Sequence, residues 1–364
     1  MWINHLSLKN FRSYDELELP IEQGINIFLG RNGEGKTNIV EAILYLSFLS
    51  SHRTANDQPL VKLGNQSAYV RAKVQNSERE ILVELEINSE KANRARINQN
   101  PTRSQKELFG IVQAVYFSPE DLDLVRGDPS GRRRFIDELL TLKSPRFAGV
   151  ITDYERAVKQ RNSLLKSRSS YTSLASWDEQ VADFGGQLIA ARLKVLREFE
   201  PIFTKIYQDI NDQKKAFITY KCSIENSSED AVENTDKILS KMSEIKSQEI
   251  DRGLTLVGPH RDDLLLMLGD HFVKGYASHG ESWSIALSLK LATYQLLSSE
   301  GAKPILILDD VFSELDEIRR EHLINLANTA EQTFITVAVQ SDLPHGLTGR
   351  VFQVKSGTVK LVSE

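Results

Sequence analysis

One cysteine, Cys222, has no second thiol to pair with in this chain of 364 residues. An intramolecular disulfide framework and a cysteine-built zinc site are therefore excluded, and the ordinary expectation for such a thiol is a buried spectator. No stretch reaches the roughly 18 consecutive apolar residues that a membrane-spanning helix requires. The first twenty residues alternate apolar and polar side chains and carry charges throughout, so they lack the unbroken apolar core of a secretion signal. A reducing, cytoplasmic setting is the expectation. Internal repeats and low-complexity tracts are also missing. So is any basic excess: the formal net charge is -5, so a nucleic-acid contact would have to come from a local basic patch.

The composition itself, 26% charged and 40% hydrophobic, is that of a globular chain long enough for two or three domains. Early on, Trp2, Ile3, Leu6 and Leu8 suggest a strand, and Leu17, Leu19 and Ile21 alternate as in a half-buried one. The apolar run at 25–29 suits a buried strand, and Ile39, Ile43 and Leu46 fall at helical spacing after it. Residues 60–120 are β-rich, with period-2 alternation over 69–74 and 81–87 and a further strand expected over 111–117. From about 133 to 250 the pattern turns helical, with a stripe running from Leu174 through Trp177, Val181, Phe184 and Leu188 to Ile206. Gly185, Gly186 and Pro201 interrupt that stripe, which predicts more than one helix. The polar stretch after 225 reads as a loop followed by a surface helix. Strands alternating with helices then return, which argues for a parallel sheet covered on both faces.

Three features carry chemistry. Gly30, Arg31, Asn32, Gly33, Glu34, Gly35, Lys36 and Thr37 satisfy G-x-x-x-x-G-K-[ST]. Glycines let backbone N–H groups curl around phosphate oxygens, and the following helix turns its positive end to the same anion. Lys36 supplies a point charge at the outer phosphates, and the Thr37 hydroxyl is suited to Mg²⁺. The context, an apolar strand before and a helix after, is the one this loop needs. Second, the apolar run at 305–308 ends in Asp309 and Asp310, a pair suited to holding Mg²⁺ and to positioning an attacking water, respectively. Third, Ser278 and Gly280 precede a helix, which makes a second anion-binding N-terminus far along the chain from the first.

Together with Ser313, Glu314, Leu315 and Asp316, these features resemble an ABC-type ATPase. The stretches at 9–14, 117–122, 132–137, 258–264 and 308–316 narrow the likeness to the RecF family, and it spans nearly the whole chain. The resemblance implies an α/β fold: an ABC-type P-loop ATPase head assembled from both chain ends (1–120 and 251–364), with an inserted helical arm (121–250) that is the candidate DNA or partner surface. It implies that ATP and Mg²⁺ bind between two heads, the loop at 30–37 of one copy facing Ser278 and Gly280 of the other. Lys36 and Asp310 would act in catalysis, Arg12 would lie near the nucleotide, Thr37 and Asp309 would hold the metal, and Asp316 would belong to a dimer-facing loop. It further implies slow, DNA-stimulated hydrolysis, an ATP-dependent homodimer on DNA, partnership with RecR and RecO, and help in loading a recombinase at gaps.

Several positions depart from the pattern. Glu281 stands where the family usually has Gln, and Trp283 where a basic residue is common. A carboxylate near a γ-phosphate is repulsive, so Glu281 is expected to point away or to meet a cation. Gln113 lies near the place of a Q-loop, and Gln340 follows the last buried strand, where a switch residue would sit. Arg132, Arg133 and Arg134 form the densest basic run. They are read either as a solvated segment paired with Asp128, Asp137 and Glu138 or as phosphate contacts. Lys159, Arg161, Lys166 and Arg168 would extend a basic surface along the arm. His260 and Arg261 read equally as structural or as near the nucleotide. Two other functions remain open. A transporter ATPase subunit is disfavoured by the large insertion, and a nucleotide-gated scaffold that never hydrolyses is disfavoured by the intact carboxylate pair.

Overall fold

The structure, a computed structural model, describes residues 1–54, 56–76, 79–167, 171–211, 214–299, 301 and 303–363. By packing, the chain divides into two compact units, Met1–Asp121 with Leu289–Glu364, and Leu122–Ser288.

The first unit holds two six-stranded sheets. In the antiparallel one, strands Trp2–Phe11, Tyr14–Pro20, Ser67–Asn76 and Arg79–Asn88 carry the period-2 alternation into the structure. Ala68, Val70, Ala72 and Val74 are buried while their neighbours are half-exposed or exposed. The other sheet runs parallel through Arg350–Lys355, Gly24–Leu29, Gln332–Val337, Ile305–Asp309 and Ala114–Phe117. Every residue of Ile305–Asp309 and Gln332–Val337 is buried, as central strands covered on both faces require. The strand expected over 111–117 begins only at Ala114. Both sheets and helix Lys36–Phe48 contribute to one apolar core. The Gln332 carboxamide stitches the sheets together: its oxygen accepts from the Ile3 amide at 2.8 Å, and its nitrogen donates to the Ile3 carbonyl at 2.7 Å.

The second unit is mainly helical, with Pro129–Lys143, Phe147–Ser167, Tyr171–Ile210 and Ala231–Glu244 as its long elements. The predicted break at Gly185, Gly186 and Pro201 is not there: one helix of 40 residues runs through all three. Gly186 marks a close approach. A Cβ there would lie 2.3 Å from the Thr235 hydroxyl and 2.5 Å from the Ala231 carbonyl, so its lack of a side chain lets helix Ala231–Glu244 cross at that point. Pro201 is exposed, while Val195, Phe199, Phe203 and Tyr207 on the other face are buried. Four large buried side chains offset the ~3 kcal/mol that an interior proline costs. The polar stretch after 225 ends at Asp230, whose carboxylate caps helix Ala231–Glu244 by accepting from the Val232 and Glu233 amides. Ile238 and Met242 on that helix are buried, so it is amphipathic and packed.

The head is expected to resume at 251, whereas residues 251–288 pack with the second unit. The cause is strand pairing: Asp263–Leu268 runs antiparallel to Ala216–Lys221, and Arg132 ion-pairs with Asp263 at 2.8 Å. Among the described residues, no helix is long and apolar enough to cross a membrane.

Candidate nucleotide site

Strand Gly24–Leu29 ends at Gly30, and the loop closes on helix Lys36–Phe48. Two glycines are forced by their surroundings. A Cβ at Gly30 would lie 2.4 Å from the Val354 carbonyl oxygen. Gly35 caps the helix with φ +112°, a left-handed conformation that favours glycine, and a Cβ there would meet the Tyr14 hydroxyl at 2.9 Å. The Lys36 ammonium is buried under the loop. It donates to the Gly30 carbonyl at 2.7 Å and the Asn32 side-chain oxygen at 3.3 Å, and it lies 3.9 Å from Asp310 Oδ2. Arg31 and Asn32 are exposed. Glu34 turns its carboxylate to the turn after strand Arg350–Lys355, accepting from the Ser356 amide and, at 3.2 Å, its hydroxyl. Its role in this geometry is to brace the loop.

The carboxylate pair sits where parallel pairing delivers it. Asp309 pairs with Thr336 across the sheet, and both are buried. Its Oδ1 accepts from the Thr336 hydroxyl at 2.5 Å and the Thr37 hydroxyl at 3.4 Å, and its Oδ2 accepts from the Tyr116 hydroxyl at 3.1 Å. Burial pushes the Asp309 pKa up and the neighbouring Asp310 adds to this, while bonds from Thr336 and Tyr116 and the Lys36 charge oppose the rise. Asp310 leaves the strand with φ +49°, a conformation that Asp tolerates, and its amide donates to the Thr336 hydroxyl at 3.0 Å. That twist turns the second carboxylate away from the buried strand, and its side chain is 35% exposed. Thr37 and Asp309 are hard oxygen donors converging from two rigid elements, which is the donor chemistry Mg²⁺ takes.

Arg12 reaches this region from the end of strand Trp2–Phe11. It is anchored by a residue that the sequence reading missed. Glu41, fully buried on helix Lys36–Phe48, takes the Nε–Nη2 edge of the Arg12 guanidinium in two bonds, at 2.8 and 2.5 Å. Ser51 donates to Glu41 at 2.6 Å and Arg53 at 3.4 Å, and Arg53 also reaches Asn38 at 3.1 Å. Burial pushes the Glu41 pKa up, but the bonds from Arg12 and Ser51 and the charges of Arg12 and Arg53 outweigh it, leaving the carboxyl below its ordinary value. The signal was present in the sequence as a lone charge within the apolar run at 39–44, since a buried helix keeps such a charge only when it is paired.

Gln113 is at the wrong end of its strand for a Q-loop. Its carbonyl accepts from the Ile305 amide at the start of strand Ile305–Asp309, so it lies a strand's length from Asp309. Tyr116 occupies the near end instead. Gln340 opens a short 3₁₀ turn after Val339. Asp316 caps helix Glu317–Thr329, accepting from the Arg319 amide at 3.1 Å.

Ser278, Gly280 and Glu281 belong to the second unit, at the start of helix His279–Ser299. Ser278 and Glu281 form a capping box: the Glu281 amide donates to the Ser278 hydroxyl at 3.2 Å, and the Ser278 amide to Glu281 Oε2 at 2.8 Å. Lys214 completes the arrangement, 2.8 Å from Glu281 Oε1. The Lys214 and Ser278 bonds hold the Glu281 carboxyl below its ordinary range. The expected cation is thus Lys214, and the acidic residue serves the helix end. Trp283 is buried.

The basic run at 132–134 does not present three free cations. Arg132 is buried, with Asp263 on two of its nitrogens and the Gly127 carbonyl at 3.0 Å on a third. Arg133 donates to the Asp262 carbonyl at 2.8 Å. Arg134 is exposed and pairs with Glu138 at 2.7 Å. Arg161, expected on a basic surface, is instead 1% exposed, bonded to Asp178, Glu249 and Thr255. Lys159 and Lys166 are exposed, and Arg168 lies outside the described residues. His260 and Arg261 both donate to the Thr255 carbonyl, a structural role, and burial lowers the His260 pKa to about 4. Cys222 is half-buried beside Asp262, and its pKa is pushed up to about 11, first by burial.

Comparison with known proteins gives a consistent result. The family model for the RecF/RecN/SMC N terminal domain matches residues 2–358. The DNA replication and repair protein RecF of Streptomyces avermitilis is 47% identical, with all of both chains covered. The RecF of Rhodococcus erythropolis is 44% identical over 98% of this chain and 94% of its own. Solved structures of the recombination mediator protein RecF in the RecFOR pathway, one with ATP and one with ATPrS, superpose with a TM-score of 0.91 at 28% identity, over 100% of this chain and 98% of theirs. An SMC head bound to the C-terminal winged-helix domain of ScpA matches at TM-score 0.58 and 15% identity, over 100% of this chain and 97% of that one, which is a likeness of fold.

Proposed function

This chain belongs to the RecF family, within the RecF/RecN/SMC N terminal domain group of ATPases, and from that premise we propose that it is an ATP-gated DNA clamp of recombinational repair. The observation that carries the reading is the convergence of Lys36 with Asp310 at 3.9 Å and of Thr37 with Asp309 at 3.4 Å, across 272 residues of chain in the second case. Loop amides and the Lys36 ammonium bind the outer phosphates of ATP. Thr37 and Asp309 would hold Mg²⁺, which would supply charge neutralisation at the phosphates. Asp310, whose side chain is 35% exposed and so meets solvent, orients the attacking water for in-line displacement. Glu34 and the Arg12–Glu41 pair keep the loop and its helix in place.

A second copy presents Ser278 and Gly280 at the N-terminus of its helix His279–Ser299 to the same nucleotide, so binding of ATP drives dimerisation and hydrolysis reverses it. Arg134, Lys159 and Lys166 offer exposed charge to phosphates. An exposed pair such as Arg134–Glu138 is worth at most ~1 kcal/mol, so it exchanges readily for a phosphate contact. The solved RecF structures in the RecFOR pathway support RecR and RecO as partners, and gapped DNA is the place of action in this proposal. Phosphate release measured with and without a gapped duplex tests the reading. The expected result is slow turnover that DNA accelerates, and turnover indifferent to DNA would overturn the clamp.

A further inference from the structure

A carboxylate held in orientation by hydrogen bonds takes a metal more tightly, and one of the two Asp309 oxygens has no partner on its own strand or on Gln332–Val337. That oxygen, Oδ2, is met by Tyr116 at 3.1 Å. Tyr116 lies on strand Ala114–Phe117, the parallel neighbour of Ile305–Asp309, opposite Ile307. Its hydroxyl has a single proton, and that proton is committed to Asp309, because an ionised carboxylate only accepts. His52 Nε2 lies 3.3 Å from the same hydroxyl, with the two rings 4.8 Å apart. In that arrangement the hydroxyl accepts from His52, which requires the tautomer with its proton on Nε2. The chain just beyond Tyr116 is pinned as well: the Ser118 amide donates to Asp121 at 2.9 Å, and Asp121 pairs with Lys290 at 2.9 Å.

We propose that Tyr116, oriented by His52, is a positioning residue that holds the Asp309 carboxylate with Oδ1 turned toward Thr37, and so sets the affinity of the site for its divalent cation. The proposal deepens the ATPase reading and rests on it. Hydrogen-bond partners of a metal-holding carboxylate are worth about 10- to 100-fold in metal affinity. Tyr116→Phe keeps the ring and removes only the hydroxyl.

The test titrates Mn²⁺ into the full-length protein in the presence of ATP and follows bound metal by electron paramagnetic resonance. ATP affinity in EDTA is measured in parallel. Tyr116→Phe should raise the Mn²⁺ concentration for half-saturation about tenfold and leave metal-free ATP binding unchanged. His52→Ala should move in the same direction, and His52→Gln, which keeps an N–H donor, should fall closer to wild type. Wild-type Mn²⁺ affinity in Tyr116→Phe would overturn the proposal. So would a parallel loss of metal-free ATP binding, which would mark a merely structural role, or equal behaviour of the two His52 variants. If the wild-type protein binds ATP and Mn²⁺ without turning over, the ATPase reading fails while the Mn²⁺ comparison still decides the brace.

Discussion

Glu41→Gln is the sharpest structural perturbation that the site offers. The substitution keeps the shape of a side chain that is fully buried, but it removes the charge facing Arg12 and Arg53. Breaking a buried pair from one side costs about 3–5 kcal/mol when the orphaned charge stays buried. Here Arg12 is 15% and Arg53 39% exposed, so both can recover part of their hydration. About 2–3 kcal/mol is therefore expected. Hydrogen exchange of the helix Lys36–Phe48 amides in the free protein reads this as a rise in opening of roughly 30- to 150-fold. The pH dependence follows from the lowered pKa of Glu41. A carboxyl that titrates below its ordinary value of 4.5 stabilises the fold fully above that value and loses the contribution as pH falls through its folded-state pKa. The gap between wild type and variant should accordingly be full at neutral pH and close in acid below 4.5. Equal protection at pH 7, or a gap that persists unchanged into acid, would refute the reasoning.

Lys36→Ala should abolish tight ATP binding measured by calorimetry, because it removes the buried cation of the phosphate cradle, whereas equal affinity would contradict the assignment. Asp310→Asn should slow turnover by about 100-fold, equivalent to ~2.7 kcal/mol of barrier, while ATP still binds. Its complex with a gapped duplex should outlive the wild-type complex, and slow turnover with an unchanged DNA lifetime would break the link between hydrolysis and release. Arg134→Ala should flatten the salt dependence of DNA binding by up to about 0.9 in log–log slope. Arg132→Ala should instead lower thermal stability with the slope intact, since its guanidinium is spent on Asp263.

The legible parts of this protein are those whose chemistry is contiguous in the chain. The loop at 30–37 and the strand ending in Asp309 and Asp310 each declare themselves within ten residues, so their types could be read one after another. What stayed hidden depends on register between distant strands and helices. Tyr116 reaches Asp309 across 193 positions because strands Ala114–Phe117 and Ile305–Asp309 pair in parallel, and no local pattern announces that. Charge runs mislead for the same reason: Arg132 and Arg161 look like surface until Asp263 and Glu249 arrive from far along the chain. Gly186 was readable as a glycine but not as a helix crossing, because the helix that crosses it lies 45 and more positions ahead. Glu281 posed a like-charge problem in the sequence that Lys214 resolves in space.

The central claim is that each ATP site is shared: the loop at 30–37 and Asp309–Asp310 come from one copy, and Ser278 and Gly280 from another. Mixing two inactive variants measures this directly. Lys36→Ala disables the loop, and Ser278→Arg disables the helix end that faces the partner's nucleotide. In a two-fold symmetric dimer, the mixed species carries one doubly damaged site and one intact site, so an equimolar mixture should regain up to about a quarter of wild-type turnover. Each variant alone should be inactive. Full activity of Ser278→Arg by itself, or a mixture as inactive as its components under conditions where wild type dimerises, would contradict a site shared between two copies.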